Sequence, residues 1–378
     1  MQSSTLAALT ASALALPGLQ VLADSPPPET TLSYRVSRYQ EDDLDRAKLL
    51  AGSEQRYDID IHQLQLIKPL AGEYALTLTG SHESMSGASP WYAVRRGDSA
   101  AIVMSGATIE EARTDVSVNA RRYLDNGTLG VSLGYSSEND YRALSGGIDG
   151  QRHFNDRLTT VAAGLSFSAD DLSPTDAAAF NRIRSASRQN RSLFLAVTQI
   201  INQNSLVQTG LSLSHVAGFL SDPYKLFDRR PESRTQLAWT TAYRRFIPAA
   251  NAALHADYRY YRDNFGVDSH TLDLNWYQDL GRDWQVVPGL RYYSQGAADF
   301  FTPASDFAAT ASNSADFRLS AYGALSGNLK LQVRIDAFTL SLRGERYRAS
   351  PSLGLSAAAT SPALVSFTHW SFGVDYRY

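Results

Sequence analysis

The sequence predicts an all-β protein, a transmembrane antiparallel up-and-down β-barrel of about 16 strands, with about 14 to 18 as the range. Two observations carry this: the pattern of the closing residues, and the rhythm of short turns and long loops along the chain. In the stretch from Ser366 to the end, Trp370, Phe372, Val374, Tyr376 and Tyr378 share one parity. His369, Ser371, Gly373, Asp375 and Arg377 share the other. A strand sends alternate side chains to opposite faces, so this segment has one apolar, largely aromatic face and one polar face. Alternation of that kind over about ten residues is how a barrel strand crosses a bilayer.

The chain has 378 residues, no cysteine and a net charge of -3. The near-neutral charge points away from a nucleic-acid partner. The lack of cysteine excludes disulfides, thiolate metal sites and haem attachment through paired cysteines. Residues 6–16 are an apolar run, followed by Pro17-Gly18 and Val21-Leu22-Ala23. This reads as a secretory signal peptide over 1–23, leaving 24–378 as one barrel domain in the bacterial outer membrane. Met1-Gln2-Ser3-Ser4 carries no Lys or Arg, so the usual basic start is missing. No later stretch approaches the ~18 apolar residues of a membrane-spanning helix.

Taken in order, Leu32, Tyr34 and Val36 alternate with polar residues as the first strand. Tyr57, Ile59 and Ile61 alternate next, and the apolar parity then slips to Leu64 and Leu66, which predicts a bulge near His62. After a turn at 68–72 come Tyr74, Leu76 and Leu78, then an irregular loop over 84–109. Val116, Val118 and Ala120 lead into Asp125-Asn126-Gly127, a tight hairpin signal, and Leu129, Val131, Leu133 and Tyr135 rise beyond it. Ile148 and Phe154 turn through Asn155-Asp156 into Val161, Ala163, Leu165 and Phe167, and a polar loop occupies 170–190. Leu193, Leu195 and Val197 turn at 202–204 into Thr209, Leu211 and Leu213. After a loop at 221–233 come Leu237, Trp239, Thr241 and Tyr243, a turn at 248–251, then Leu254, Ala256, Tyr258 and Tyr260. Leu272, Leu274 and Trp276 turn at 281–283 into Val286, Leu290 and Tyr292. A loop over 296–313 precedes one long odd-parity strand holding Phe317, Leu319, Leu325, Leu331 and Val333, and Phe338, Leu340 and Leu342 make the penultimate strand.

The turns near 70, 126, 156, 203, 250, 282 and 336 are short, and the connections between them are mostly long. Short turns on one rim and long loops on the other match bacterial outer-membrane barrels. Within hydrocarbon every backbone N–H and C=O must be paired, which a closed sheet achieves. Tyr and Trp near strand ends, such as Tyr135, Trp239, Tyr243, Trp276, Tyr292 and Trp370, are expected in interfacial girdles.

Several stretches carry a resemblance. Tyr39-Gln40-Glu41-Asp42-Asp43, Ser86-Gly87-Ala88-Ser89-Pro90-Trp91, Ser137-Glu138-Asn139-Asp140-Tyr141 and the closing aromatic strand together resemble the bacterial outer-membrane barrels of domain of unknown function 3570. The resemblance extends over essentially the whole mature chain. It implies a barrel in the cell envelope and brings no catalytic residues or cofactor. The closing strand is also similar to the terminal strand of outer-membrane barrels, whose aromatic ending is read by the insertion machinery. By that likeness Trp370, Phe372, Val374, Tyr376 and Tyr378 form the insertion signal.

If the apolar parity faces lipid, the other parity faces the lumen. The expected lumen set includes Arg35, Arg121, Arg244, His255, Asp257, Arg259, Asp273, Arg291, Arg318 and Arg343. An arginine-rich wall around a water-filled channel favours anions. The bland reading is that these charges pair among themselves, Arg259 with Asp257 or Asp273 for example, and merely hydrate the lumen. Asp42, Asp43 and Asp45, and Asp170, Asp171 and Asp176, lack the spacing of a calcium loop. The histidines show no zinc-like pair, no elbow motif singles out a serine nucleophile, and no cofactor is called for. The expected function is a porin-like channel for small hydrophilic solutes, anions among them, with no enzymatic activity. The alternatives are a closed scaffold or receptor barrel whose loops dock an envelope protein, and an outer-membrane hydrolase.

Overall fold

The computed structural model describes residues 25–70, 72–105, 109–308 and 311–378. The expected signal peptide, 1–23, lies outside the described residues. The first strands are β1 (Thr31–Glu41), β2 (Leu49–Ala51), β3 (Asp58–Leu70), β4 (Tyr74–Gly87), β5 (Pro90–Arg96) and β6 (Ser99–Met104). The wall continues through β7 (Ile109–Leu124), β8 (Gly127–Ser137), β9 (Tyr141–Phe154), β10 (Thr159–Leu172), β11 (Ala186–Asn202), β12 (Ser205–Gly218) and β13 (Ser233–Ile247). It ends with β14 (Ala252–Asp263), β15 (Asp268–Leu280), β16 (Trp284–Gln295), β17 (Tyr322–Ile335), β18 (Phe338–Ser350) and β19 (Phe367–Arg377).

Sixteen of these strands close one antiparallel barrel in the order β1-β19-β18-β17-β16-β15-β14-β13-β12-β11-β10-β9-β8-β7-β4-β3. Neighbours in the wall are therefore neighbours along the chain, and the ring closes where β1 pairs with β19. The remaining three form a small separate sheet, β2-β6-β5. The seven short turns expected from the sequence all lie at one rim, and at the other rim two connections, 138–140 and 264–267, are equally short. At one of the seven, Asn155 and Asp156 take left-handed backbone angles (φ 52° for both), a conformation that Asn and Asp tolerate better than other side chains.

Register puts most of the large apolar residues of the wall on one face all the way round. Leu165 pairs with both Ile148 and Leu193, and Leu193 with Leu213. Leu133, Leu144 and Ile148 are exposed by 59%, 61% and 57%, which is unfavourable in water and suited to lipid tails. The usual hydrophobic core is displaced. Buried apolar clusters lie in the long-loop end: Leu44, Ala88, Ala93, Ile102, Met104 and Ala363 in one, and Phe265, Val267, Ala298, Phe301 and Leu319 in another.

Three details correct the strand reading. No bulge interrupts β3 at His62, since its register runs unbroken against both β1 and β4. The apolar parity changes because Ile59 points inward into a cluster with Tyr57 and Met85, whereas Leu64 and Leu66, lower on the strand, point outward. The stretch 84–109 is not irregular: β4 runs to Gly87, and the hairpin β5–β6 folds within it. Phe317 and Leu319 lie on a 3-10 turn (Phe317–Leu319) before β17, so the loop after β16 extends to 321.

Candidate functional site: the inner wall and the mouth

The long loops meet over the barrel opening. Ser305, between β16 and β17, donates its N–H to Ala93 O on the β5–β6 hairpin at 2.8 Å, and Ala93 N–H donates back to Ser305 Oγ at 3.2 Å. Leu226, between β12 and β13, donates to Trp91 O at 3.0 Å. Arg229 and Asn313 exchange a pair of backbone bonds, each 2.8 Å. These three loops leave the wall at well-separated points of the ring, so their contacts lie across the mouth and form a roof.

Ion pairs lock this roof. Arg230 Nη2 sits 2.7 Å from Asp316 Oδ2 and Arg318 Nη2 2.9 Å from Asp222 Oδ2, and Arg318 also pairs with Asp316. Burial opposes charge on Asp316, but Arg318, Lys225 and Arg230 outweigh it and hold the carboxyl well below the usual carboxylate range. Tyr224 ties two further loops in. Its hydroxyl donates to Asp140 and accepts from Thr175 N–H at 3.1 Å, and the Arg182 guanidinium lies 4.7 Å from its ring centroid.

A repeated joint fixes the roof to the wall. Tyr39 donates to Glu41 (3.1 Å), Tyr261 to Asp263 (2.7 Å) and Tyr293 to Gln295 (2.6 Å). In each case the partner lies two residues on, so both project from the same face and the ring leans along the strand toward the mouth. Each partner then holds the loop above. Glu41 accepts from Arg56 Nε at 2.8 Å, and Asp263 accepts from Arg234 Nε at 2.7 Å and from Phe265 N–H at 2.9 Å. Gln295 donates to Ser320 O at 2.6 Å. This joint was legible as a recurring Tyr-x-(Glu, Asp or Gln) at strand ends, and sequence reasoning missed it.

Lower on the wall, most of the expected basic residues have an acidic partner. Arg121 meets Asp149 at 2.7 Å, Arg244 meets Asp257 at 2.5 Å, Arg291 meets Asp273 at 2.6 Å and Arg343 meets Glu345 at 3.1 Å. The His255 ring packs 4.2 Å from that of Tyr277. Arg35 and Arg259 make no ion pair among the described residues. The expected pairing of Arg259 with Asp257 or Asp273 is corrected, because Arg244 and Arg291 occupy those carboxylates. Arg318 is not a wall residue at all. It lies on the 3-10 turn of the roof, paired to Asp222 and Asp316.

Sequence reasoning also missed a buried acidic group beneath the roof. Glu83, Asp115 and Glu138 gather around Arg113, which lies 2.5 Å from Asp115 and 3.7 Å from Glu138. Burial, helped by the neighbouring acids and only partly offset by Arg113, pushes the Glu138 carboxyl up to about 9. The acidic residues expected in loops have structural roles: Asp42 pairs with Arg346, Asp45 caps a 3-10 turn by accepting from Ala47 N–H, and Asp170, which lies on β10 and not in a loop, pairs with Arg188 on β11 at 2.7 Å. No group of His, Asp and Glu among the described residues is arranged to hold a metal ion.

The family described as Protein of unknown function (DUF3570) matches residues 6–361. The chain belongs to this family. Among solved structures, this DUF3570 chain is similar to a bacterial polysaccharide outer membrane secretin at 9% identity and TM-score 0.50, covering 92% of this chain and 98% of the other. It is similar to CdiB from Acinetobacter baumannii at 9% identity and TM-score 0.51, covering 93% of this chain and 60% of that one. The siderophore receptor PirA from Pseudomonas aeruginosa matches at 14% identity and TM-score 0.46, over 92% of this chain and 62% of that one. At such identities the likeness is one of fold, that of outer-membrane barrels. No curated protein matches the chain.

Proposed function

We propose that this DUF3570 barrel is an outer-membrane channel of the porin type, passing small hydrophilic solutes with a preference for anions. The observation that carries this is the closed ring of sixteen strands with a polar inner face. A ring of that size encloses more space than its side chains fill and leaves an aqueous lumen. Arg35 and Arg259, without acidic partners among the described residues, tilt the lumen toward anions. The chain reaches the membrane through export directed by residues 1–23, and the outward face of β19, with Trp370, Phe372, Val374, Tyr376 and Tyr378, is the signal for insertion. The protein has no enzymatic role in this reading.

The test is single-channel recording of the refolded protein in planar bilayers, with selectivity taken from the reversal potential in a KCl gradient. Stable open steps with a chloride-favouring reversal potential support the channel. A folded protein without conductance steps overturns it.

A second reading, a closed receptor or scaffold that docks an envelope protein, is supported by the roof, whose loops meet across the mouth through buried ion pairs. Under that reading the wild type is silent and removal of β5–β6 abolishes capture of the partner.

A further inference from the structure

On β13 to β16 the inner wall carries four guanidinium groups, Arg234, Arg244, Arg259 and Arg291, and four carboxylates, Asp257, Asp263, Asp273 and Asp279. Arg234 takes Asp263 at 2.5 Å near the mouth, and Asp279, at the short-turn rim, accepts from Gln285 Nε2 at 2.8 Å. Arg244 takes Asp257 with two contacts, at 2.5 and 3.0 Å, and Arg291 takes Asp273 at 2.6 Å. Arg259 makes no ion pair among the described residues, and Asp279 stands at the far end of β15 from it. In register it faces Thr240 on one side and Thr271 on the other, neither of which can neutralise it. Its Nε is buried without a hydrogen-bond partner among the described residues. A partly buried cation with no counter-charge is costly unless something supplies one.

The residues above Arg259 are rings. Its guanidinium carbon lies 5.7 Å from the centroid of Tyr261, and Tyr293 pairs in register with Thr271, the residue opposite Arg259. Both phenol hydroxyls are already committed, to Asp263 and Gln295, which lays the rings along the wall and keeps them from turning to satisfy Arg259. Tyr293 continues into Tyr322 (ring centroids 5.7 Å apart), so the aromatic surface extends around the wall beneath the roof. An unneutralised guanidinium beside fixed, flat, apolar surfaces offers two complementary contacts: a bidentate one for a carboxylate and a stacking one for a planar body.

We propose that Arg259, Tyr261 and Tyr293 form a subsite on the inner wall for small organic acids that carry one carboxylate on a flat apolar body. The inference rests on the channel reading, because solute reaches this wall through the lumen. It narrows the solute class from anions in general to aromatic and similarly flat monocarboxylates. Chloride or acetate satisfies only the charge, and a neutral aromatic satisfies only the rings.

The test is isothermal titration calorimetry of the detergent-solubilised full-length protein with benzoate, phenylacetate and cinnamate, against acetate and benzyl alcohol. At least one aromatic acid is expected to bind tenfold or more tightly than either control. Arg259→Gln should lose that binding at least tenfold, and Arg259→Lys, which keeps the charge but not the fork, should retain part of it. Gel mobility of the unheated barrel checks that each variant is folded. The proposal is overturned if no aromatic acid binds above the controls, or if Arg259→Gln binds as well as wild type. Bilayer conductance in KCl separates the two ideas. A silent protein that binds benzoate in an Arg259-dependent way sinks the channel and leaves the subsite, and an open channel without such binding does the reverse.

Discussion

Arg56 and Glu41 form a buried ion pair across the joint between the first long loop and the wall, Nε to Oε2 at 2.8 Å, with side chains only 2% and 3% exposed. Arg56 also donates to Ala363 O at 3.1 Å, so one side chain ties β1, its own loop and the loop before β19 together.

Removing one partner of such a pair leaves a buried charge uncompensated. Arg56→Ala is expected to cost about 3–5 kcal/mol, felt mainly as loosening of the roof. Limited proteolysis should show cleavage in 42–57 or 351–366 with the wall intact. The double variant Arg56→Met/Glu41→Leu should recover most of the resistance, since neither charge then remains to be solvated. Equal cleavage in both variants would contradict this account.

Glu138 makes roof stability fall with rising pH. Its folded carboxyl titrates at about 9, whereas an unfolded glutamate titrates at about 4.3. Between those values the folded state holds the extra proton, so stability declines as pH rises across that window. Protease resistance of wild type relative to Glu138→Gln should drop steadily from pH 5 to 9. Asp316 has the opposite sign: its depressed value means its contribution persists at pH 4 and disappears only in stronger acid. Asp316→Asn should therefore weaken the roof at neutral pH.

Charge on the wall should set selectivity with a predictable sign. Asp257→Asn unmasks Arg244 and should shift the reversal potential further toward chloride. Arg244→Gln leaves Asp257 free and should shift it toward potassium. Shifts of the same sign in both variants would show that these residues do not face the conducting path.

The outward face predicts its own depth cost. Leu133 sits in mid-strand, paired with Val118 and Gly146, and is 59% exposed. Leu133→Arg should destabilise the barrel by about 2–4 kcal/mol, measured by urea titration in lipid vesicles. The inward neighbour Ser132, changed to Arg, should cost much less.

Strand existence and facing were legible in sequence because parity is a local property. Leu129, Val131, Leu133 and Tyr135 share an outward face whatever their partners are, since a strand repeats every two residues. The lipid then demands apolar groups on that face. Where the rule failed, the environment had changed. Ile59 is apolar yet inward because β3 passes beneath the roof at that height, and a change of depth looked like a bulge in the sequence.

The sequence by itself determined a ring of alternating strands, its two unlike rims and the pool of charges on its inner parity. Only the tertiary structure decided which charges cancel and where the loops go. Arg318 and Asp222 stand 96 residues apart and meet only because two hairpins lean over one opening. Arg244 faces His255 in register but reaches Asp257 two residues along, which leaves Arg259 alone. Side-chain reach across neighbouring strands and contact between distant loops have no period in the sequence, so neither can be read until the sheet has closed.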